Sequence, residues 1–397
     1  MSINHSNRAE ILYGSVVTPE GIIEDGALVV QDGILQYVGT AAEIPAALTK
    51  EAVQGETRSG YLLPGFIDIH VHGGNGADFM DANPEVLDRI TSFHASQGTT
   101  SMLATTMTAP KDRIEQVLAG VHAYISRGSD YAQLAGVHLE GPFISPKWPG
   151  AQNPEHIAFP NVNWVQEWHD SYPGLVKQLT LAPEREGALE LISWLRDHDI
   201  TPALGHTDAS FEDVEAAVEA GLRHAVHTFN AMTPLHHRKP GVAGAVMYDQ
   251  RIEAEVIADG IHVHPAAVAV LARLKQDHNL ILITDAMSAA GLEDGHYMIG
   301  DLPVIVQAGV ARLEDGVTLA GSTLTMIEGF RFLVQKVGLS ITEASLAASL
   351  NPAMSIGIDK QTGSLEVGKQ ADILFLSPDL DLKTVWIHGK PLASPRL

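Results

Sequence analysis

The sequence contains no cysteine among its 397 residues. This absence excludes disulfide bonds, a thiolate nucleophile and metal sites with cysteine ligands. The sequence also lacks an internal repeat of fixed period and a low-complexity tract. We therefore expect neither a repeat protein nor a disordered chain.

Basic residues are scarce relative to acidic residues. The chain carries 25 Lys and Arg against 48 Asp and Glu, which gives a formal net charge of −23. Nucleic acids and anionic membranes bind clustered basic residues, so neither is an expected partner. An anionic substrate needs a local basic pocket that overcomes the unfavourable field of the whole protein.

Long apolar runs are missing as well. A membrane-spanning helix needs about 18 or more consecutive apolar residues, and the sequence contains no such run. The segment Met1 to Gly14 has no apolar stretch of the kind that a secretory signal requires. These two absences predict a cytoplasmic protein.

Several catalytic motifs are absent from the sequence. It contains no G-x-S-x-G, no Walker-type G-K-[ST], no H-E-x-x-H, and no G-x-G-x-x-G after the first strand-like run. These absences remove support for a serine-hydrolase elbow, a phosphate-binding loop, a zincin and a dinucleotide site.

Two β-rich ends flank a longer middle region. Gly26–Gly39 contains two β-rich runs around Asp32 and Gly33, a dipeptide typical of hairpins. The closing segment alternates strand-like runs with Gly, Pro and Asp turns. The hydrophobic fraction of 45% is ample for a full core, and a chain of 397 residues is too long for one small domain, so we predict one large domain and one minor domain. The predicted boundaries are residues 1–60 with 363–397 for a small β-sandwich domain and 61–362 for a catalytic barrel.

The middle region alternates short apolar runs with amphipathic helical stretches, which is typical of parallel βα units. One predicted helix follows Ser210, which can cap it, and precedes Gly221. Eight such strands predict an α/β protein with a (β/α)₈ TIM-like barrel, whose usual core is about 250 residues. The predicted strands are Tyr61–His70, Thr100–Thr106, Leu134–Leu139, Gln178–Leu181, Thr201–Gly205, His224–Thr228, Glu253–Ala258 and Leu280–Thr284.

Polar residues able to carry chemistry follow these predicted strands at or near their carboxyl ends. In TIM-like barrels the active site lies at that face. We therefore expect these side chains to share one site. They are His70, His72, Glu140, Glu184, His206, His227, His262 and Asp285.

His70 and His72 form an H-x-H motif. In a strand, residues two apart point to the same face, so both imidazoles could bind one metal ion. A pair of polar residues at the barrel mouth is the alternative, and His262 with His264 forms a second H-x-H in the same chain.

Glu140, His206 and His227 form a second candidate ligand set. Two histidines and a carboxylate leave a coordination position open for water, as a catalytic zinc site requires. The alternatives are an acid at a helix start for Glu140 and packed core residues for the two histidines. His224, three residues before His227, is predicted to point to the other side of the strand.

Asp285 follows four apolar residues at the end of the eighth predicted strand. A carboxylate there can act first as general base and then as general acid. The alternative is an N-cap for a following helix, a position that favours Asp.

The densest basic cluster is His236–Lys239, which includes Arg238. Arg is suited to bidentate contacts with phosphate, so the cluster is a candidate anion site. The alternative is a solvated loop.

A series of motifs resembles the amidohydrolase superfamily and, within it, the N-acetylglucosamine-6-phosphate deacetylases and their N-acetylgalactosamine-6-phosphate relatives. The motifs run in order across nearly the whole chain, and such a series is far more specific than any one motif. They are PGFIDIHVHGG, HLEGPFISPKWPGAQNPE, LAPE, GHTDAS, HTFNAMTPLHHRKPG, IADGIHVHP, LITDAMSAAG, LAGSTLTM and GSLEVGKQADILFL.

The resemblance implies a metal site. Glu140, His206 and His227 match the ligands of the principal ion. His70 and His72 match ligands of a second ion that only part of the family has, so one or two divalent ions per subunit are implied. Zinc is the first expectation, and iron, manganese or cobalt are alternatives with the same ligand types.

The resemblance also implies the catalytic residue and the substrate contacts. Asp285 matches the catalytic acid and base. Arg238 in such proteins reaches into the neighbouring subunit's site, which implies a homodimer. Some members have histidine in place of Gln152, and Gln can donate a hydrogen bond but cannot carry charge, so its part stays open. The matched substrate-binding positions are Ala151, Gln152, Asn230, Ala231, Arg238, His262, Leu319, Ala320 and Gly321.

The implied activity is hydrolysis of the N-acetyl group of N-acetylglucosamine 6-phosphate, which releases glucosamine 6-phosphate and acetate. The same reaction on N-acetylgalactosamine 6-phosphate is the alternative, because no residue identifies the epimer. More distant alternatives are a cyclic-amide or nucleobase hydrolase and a non-catalytic sugar-phosphate sensor on the same fold.

Overall fold

The structure is a computed structural model that describes residues 9–50, 52–275 and 279–392. The parts of the expected β-domain at residues 1–8, 51 and 393–397 lie outside the described residues, and so does most of Met1 to Gly14, the segment expected not to be a secretory signal. Residues 276–278 of the expected barrel lie outside them too.

The described residues form twenty strands and eleven α-helices. Short 3₁₀ turns occupy Ala41–Glu43, Phe79–Asp81 and Pro154–His156, and π-helical turns occupy Leu333–Val337 and Leu346–Leu350. The strands are β1 (Glu10–Thr18), β2 (Gly21–Gln31), β3 (Ile34–Thr40), β4 (Val53–Pro64), β5 (Phe66–Asp68), β6 (Gly73–Gly74), β7 (Ala77–Asp78), β8 (Thr99–Thr106), β9 (Gln133–Glu140), β10 (Val176–Leu181), β11 (Thr201–Leu204), β12 (His224–Ala225), β13 (Glu253–Ile257), β14 (Leu280–Ile283), β15 (Gly295–Ile299), β16 (Leu302–Gln307), β17 (Val310–Leu313), β18 (Ile373–Leu376), β19 (Leu382–Ile387) and β20 (Lys390–Pro391). The helices are α1 (Ala46–Thr49), α2 (Pro84–Ser96), α3 (Lys111–Arg127), α4 (Val162–Ser171), α5 (Ala188–Asp197), α6 (Phe211–Ala220), α7 (Gly241–Tyr248), α8 (Pro265–Leu274), α9 (Met326–Phe332), α10 (Ile341–Ser345) and α11 (Asn351–Ser355).

Eight parallel strands form the expected barrel, in the order β5-β8-β9-β10-β11-β12-β13-β14. The helices α2 to α8 each lie between two successive barrel strands, and α9 follows the last. Hydrogen bonds link β5 and the residues after it to the residues after β14 and bridge the two edges of this sheet. Thr284 Oγ1 donates to Asp68 Oδ2 over 2.5 Å, and the His72 backbone N–H donates to the Ala286 carbonyl over 2.8 Å. The predicted (β/α)₈ fold is confirmed.

The prediction for the first barrel strand was wrong in its first half. Residues Tyr61–Pro64 belong to β4 and pair with β18 in the smaller sheet, and only Phe66–Asp68 pairs with barrel strand β8. Gly65 lies between the two segments, where a Cβ would approach Thr100 Oγ1 to 2.1 Å. Pro64 and Gly65 therefore mark the point where the chain leaves one sheet and enters the other.

Successive residues of a barrel strand pack into different apolar clusters. In β14, Leu282 belongs to the large cluster that includes the helices. Ile281 and Ile283 belong to a smaller cluster with Ile67 and Ile257. This alternation follows from the two-residue period of a strand, and burial on both faces is typical of parallel sheets.

Helix α6 begins and ends where the sequence predicted. Ser210 Oγ accepts the Asp213 backbone N–H over 3.1 Å, and the Asp213 carboxylate accepts the Ser210 backbone N–H over 2.8 Å. This reciprocal capping box satisfies N–H groups that have no partner inside the helix. Gly221 follows the last turn with a φ of 125°, a conformation that favours glycine.

Both ends of the described chain contribute to one separate sheet, in the order β20-β19-β18-β4-β1-β2-β3. The Asp32-Gly33 turn joins β2 to β3 as predicted, with φ values of 52° and 78°. Leu35 lies on β3, the edge strand of this sheet. Its hydrogen bonds with residues 368–369 bring β3 back towards β18. The folded sheet encloses its own apolar cluster, which includes Leu28 and Trp386.

A three-stranded antiparallel sheet, β15-β16-β17, follows the last barrel strand and was not predicted. Ile299 at the end of β15 lines the cleft described below. Across residues 9–50, 52–275 and 279–392, no helix combines the length and the apolar character needed to cross a membrane.

Candidate metal centre and active site

The carboxyl ends of the barrel strands bring the predicted ligand residues together. Each of these residues ends a barrel strand or follows one by a few residues on the same side of the barrel. Two groups of donor atoms result, and within each group the atoms lie within 4.8 Å of one another. The groups are Glu140, His206 and His227, and His70, His72 and Glu140.

In the first group, three donor atoms converge. Glu140 Oε1 lies 3.2 Å from His206 Nε2 and 3.0 Å from His227 Nε2, and the two imidazole nitrogens are 3.1 Å apart. The Nδ1 atoms point away, to the Trp148 carbonyl at 3.0 Å and the Asn230 carbonyl at 3.2 Å. A carbonyl only accepts, so each Nδ1 carries the proton and each Nε2 directs its lone pair to the common centre.

In the second group, the two histidines of the H-x-H motif share Glu140. His70 Nε2 lies 3.2 Å from Glu140 Oε1, and His72 Nε2 lies 3.3 Å from Glu140 Oε2. Asp285 Oδ1 is 3.3 Å from His72 Nε2 and 3.7 Å from His70 Nε2. On the opposite side of its ring, His70 Nδ1 contacts Glu255 Oε2 at 2.8 Å. Asp285 therefore lies beside the histidine pair and lines the same cleft as His206 and His227.

These donor atoms fit a divalent metal ion. His70 Nε2 is buried and has no hydrogen-bond partner, although it faces Glu140. Lone pairs that converge without protons between them repel unless a cation lies among them. Imidazole nitrogen and carboxylate oxygen are ligand types that suit zinc, iron, manganese and cobalt.

The pKa values of His72 and Glu140 also indicate that this site favours positive charge. Burial lowers the pKa of His72, but its hydrogen bonds to Asp285 and Glu140 outweigh burial and raise the pKa to about 9. Burial raises the pKa of Glu140, but His70 and His206, which are charged when they are protonated in the absence of an ion, outweigh burial and hold the pKa of Glu140 well below its usual range. The site thus stabilises carboxylates in their charged form and attracts cations.

The backbone is strained at three of these residues. His206, His227 and Asp285 have φ values of 48°, 30° and 51°, in the left-handed region that residues other than glycine rarely adopt. Such conformations persist only where surrounding contacts hold them, and they concentrate at functional sites. At Asp285, the backbone N–H donates to the His70 carbonyl over 2.9 Å, and its carbonyl accepts from Ser322 N over 2.7 Å.

The structural alternatives for two residues do not hold. The first helical turn after Glu140 is Pro154–His156, so Glu140 does not start a helix. Within the described residues 279–392, the first helix after Asp285 is α9, which begins at Met326, so Asp285 is not an N-cap. Both side chains instead face the histidines.

A cleft of about 500 Å³ opens above the donor atoms. Seven of the expected substrate-binding residues line it: Ala151, Gln152, Asn230, Ala231, His262, Leu319 and Gly321. Among the described residues, two of the expected contacts do not line it. Ala320 is fully buried. Arg238 is exposed, with its guanidinium 2.6 Å from His237 Nε2.

Two of the lining residues have fixed orientations. The Gln152 carbonyl oxygen accepts the Thr108 backbone N–H over 2.6 Å, so its amide NH₂ points to Glu140 Oε2 at 2.5 Å. His262 Nδ1 is paired with Asp259 Oδ2 at 2.6 Å. These contacts determine which atom of each side chain can face a ligand.

Glu184 is not part of either donor group in the described part of the chain. Its carboxylate accepts the Thr207 hydroxyl over 2.6 Å and the Asp208 backbone N–H over 2.8 Å. It therefore holds the turn directly after His206. His224 also lies apart from the donor atoms, with its Nε2 2.8 Å from Glu255 Oε1.

Sequence reasoning missed Glu255 and Lys147. Lys147 lines the cleft and pairs with Asp208. Glu255 is fully buried beneath the site. The sequence did contain a signal for Glu255, because it is a charged residue in the middle of an apolar strand. A buried charge of this kind needs a buried partner.

Comparisons with known proteins agree with this geometry. The amidohydrolase family model matches residues 61–392. An N-acetylglucosamine-6-phosphate deacetylase of Bacillus subtilis (strain 168) is 42% identical over 371 residues, which are 93% of this chain and 93% of the relative. An N-acetylgalactosamine-6-phosphate deacetylase of Escherichia coli O157:H7 is 38% identical over 375 residues, 94% of this chain and 97% of the relative.

Solved structures give the same result. A mutant N-acetyl-D-glucosamine-6-phosphate deacetylase from Mycobacterium smegmatis, in complex with N-acetyl-D-glucosamine-6-phosphate, superposes with a TM-score of 0.91 at 33% identity. The match covers 97% of this chain and 99% of that chain. The family is metal-dependent, and both donor groups described above are able to bind a metal. The chain belongs to the amidohydrolase family.

Proposed function

We propose that the protein is a metal-dependent hydrolase that removes the N-acetyl group from N-acetylglucosamine 6-phosphate, giving glucosamine 6-phosphate and acetate. The observation that carries the proposal is the convergence of Glu140, His206 and His227 beside Asp285 at the base of one cleft. The named activities of the relatives and of the solved structures support the substrate.

The five donor residues would hold one or two divalent ions. Glu140, His206 and His227 are proposed for the principal ion, and His70 and His72 with Glu140 for a second ion. Zinc is the first candidate, and iron, manganese and cobalt remain alternatives. When bound, such an ion lowers the pKa of a water molecule towards about 7 and polarises the amide carbonyl.

Asp285 is proposed to move the proton. Its carboxylate faces the donor groups, so it can accept a proton from the attacking water and later deliver that proton to the amide nitrogen. The second transfer is needed because an amine anion is a very poor leaving group. The water hydroxyl ends on the acetyl carbon, and the sugar leaves as a neutral amine.

The other lining residues would orient the substrate. Asn230, His262 and Gln152 offer polar groups around the cleft, and Ala151, Ala231, Leu319 and Gly321 are proposed to complete its walls. Binding energy from the phosphate would hold the acetamido group against the reacting atoms. The amide NH₂ of Gln152, directed by Thr108, is the group that could donate to the substrate carbonyl.

Arg238 is proposed to bind the phosphate across a homodimer interface. The loop that carries it is exposed, and its side chain lies outside the cleft of its own chain. A second copy of the chain would bring this guanidinium to the neighbouring cleft. Since a sugar phosphate is charged and does not cross bilayers unaided, the proposed location is the cytoplasm.

The decisive experiment measures acetate release by purified protein of known metal content. The substrates are the two N-acetyl-hexosamine 6-phosphates and unphosphorylated N-acetylglucosamine. We expect the highest kcat/KM for N-acetylglucosamine 6-phosphate. A preference for the galacto epimer would select the alternative substrate. Binding of both sugar phosphates by metal-loaded protein without acetate release would support the sensor and contradict the proposal.

A further inference from the structure

Glu255 is a carboxylate in the interior of the barrel. It lies on β13, the seventh barrel strand, and its side chain is 0% exposed. A buried charge is unfavourable unless hydrogen bonds replace the lost water. The partners of Glu255 therefore indicate what the residue does.

Both carboxylate oxygens of Glu255 are occupied. Oε1 lies 2.8 Å from His224 Nε2 and 3.0 Å from Gln178 Nε2. Oε2 lies 2.8 Å from His70 Nδ1 and 3.2 Å from the backbone N of His227. A carboxylate accepts about four hydrogen bonds, so this one is saturated and cannot rotate without losing partners.

The first consequence concerns His70. Because an ionised carboxylate only accepts, the proton of His70 is fixed on Nδ1 and its Nε2 keeps a free lone pair. That lone pair faces Glu140 Oε1 at 3.2 Å. Without Glu255, the proton could move to Nε2, and His70 would then be unable to bind a metal.

The second consequence concerns His227. Its φ of 30° is strained, and Phe229, two residues later, has a φ of 81°. Glu255 holds this turn at two points: its carboxylate accepts the His227 N–H, and its backbone carbonyl accepts the Thr228 N–H over 2.8 Å. Strained residues of this kind cost about 1–3 kcal/mol each and need such anchors.

We propose that Glu255 is a positioning residue that fixes His70 and His227, one from each donor group, in the orientation that binds divalent metal. The inference rests on the proposed function, because it takes these histidines as metal ligands. Glu255 lies beneath the donor atoms and does not line the cleft, so its effect on a reaction would pass through the ligands it holds.

The test is the variant Glu255→Gln, which keeps the size of the side chain. In this variant one carboxylate oxygen becomes an amide NH₂. That NH₂ faces either the His227 backbone N–H, a donor that cannot accept, or His224 and Gln178, which must then shift a proton or turn their amide to accept it. In both orientations the charge that holds the proton of His70 on Nδ1 is lost. Loss of an outer hydrogen-bond partner of a metal ligand typically weakens metal affinity by about 10–100-fold. We expect a loss of that size for zinc, measured by competition with a chromophoric chelator.

Glu253→Gln is the matched control. It removes the same charge from the same strand, and its carboxylate contacts His224 Nδ1 at 3.1 Å and Ser355 Oγ at 2.5 Å. Neither partner belongs to the donor groups. We expect its zinc affinity to stay within about twofold of wild type. The visible absorption of the cobalt-loaded proteins should change in Glu255→Gln and stay unchanged in Glu253→Gln.

The melting temperature of each variant after chelator treatment shows whether a loss of zinc affinity comes from misplaced ligands or from a less stable fold. Weak zinc binding by a Glu255→Gln protein that melts like its control supports the proposal. Equal zinc affinity in both variants, or equal losses in both, overturns it. If Glu255→Gln does not fold, Glu255→Asp is the test, because it keeps the charge but has a shorter side chain that cannot make the same contacts. Weakened zinc affinity of Glu255→Asp supports the proposal, and zinc affinity equal to that of wild type overturns it. Failure of the wild-type protein to bind zinc, cobalt, iron or manganese would instead refute the metal site and the proposed function.

Discussion

Replacement of Asp285 by asparagine isolates its proposed proton transfer. Asn has the same size as Asp, and both tolerate the positive φ of 51° at this position better than most residues. The backbone contacts of residue 285 with His70 and Ser322 do not depend on its side chain. Asp285→Asn should therefore fold and keep the donor residues Glu140, His206 and His227 in place, but its amide cannot accept the proton from water.

The expected loss can be bounded. A positioned general acid or base contributes about 10²–10⁴-fold to a rate. At about 1.36 kcal/mol for each factor of ten, this range corresponds to roughly 2.7–5.4 kcal/mol of transition-state stabilisation. The Asp285→Asn variant should lose kcat by that factor while KM and metal content change little, because the five donor residues are intact.

The assay is steady-state acetate release on N-acetylglucosamine 6-phosphate, with metal content measured on the same preparation. Asp294→Asn is the control, because Asp294 is an exposed carboxylate that does not line the cleft. A kcat of Asp285→Asn within tenfold of wild type, at unchanged metal content, would refute the assignment of proton transfer to Asp285.

Three further predictions test other parts of the molecule. Arg238→Ala should lower kcat/KM for N-acetylglucosamine 6-phosphate by about 10-fold or more, because it removes a charged hydrogen bond. An equal loss on unphosphorylated N-acetylglucosamine would exclude a phosphate contact. His94 is buried, and its Nε2 contacts the Gly73 carbonyl. Burial lowers the pKa of His94 from 6.5 to about 4. Because the pKa is lower in the folded state than in the unfolded state, wild type should lose roughly 3 kcal/mol of unfolding free energy as the pH falls from 6.5 to 4. Denaturant titrations of wild type and His94→Gln should show the larger acid loss in wild type, and parallel losses would contradict this cause. Ser210→Ala removes the cap of α6 and should lower the unfolding free energy by about 1 kcal/mol at unchanged kcat, so unchanged stability would show that the capping box contributes little.

Local patterns in the sequence were sufficient for the barrel and for the ends of most of its strands. The apolar run before Asp285 and the Ser210 and Gly221 signals around α6 act over a few residues, and the structure has both. The pattern was insufficient at Tyr61–Pro64, because an apolar run does not say which of two sheets a strand joins. That choice depends on pairing with β18, more than 300 residues away in the chain.

The sequence by itself determined which residue types follow the barrel strands: His70, His72, Glu140, His206 and Asp285 stand where the chain turns at the ends of apolar runs. Only the tertiary structure decided which of their atoms meet. His70 contacts Glu255 across 185 positions of sequence, and Arg238 lies away from the cleft of its own chain although it belongs to the densest basic cluster. The physical reason is that local patterns fix backbone conformation within one element, whereas ring closure and side-chain packing fix distances between elements.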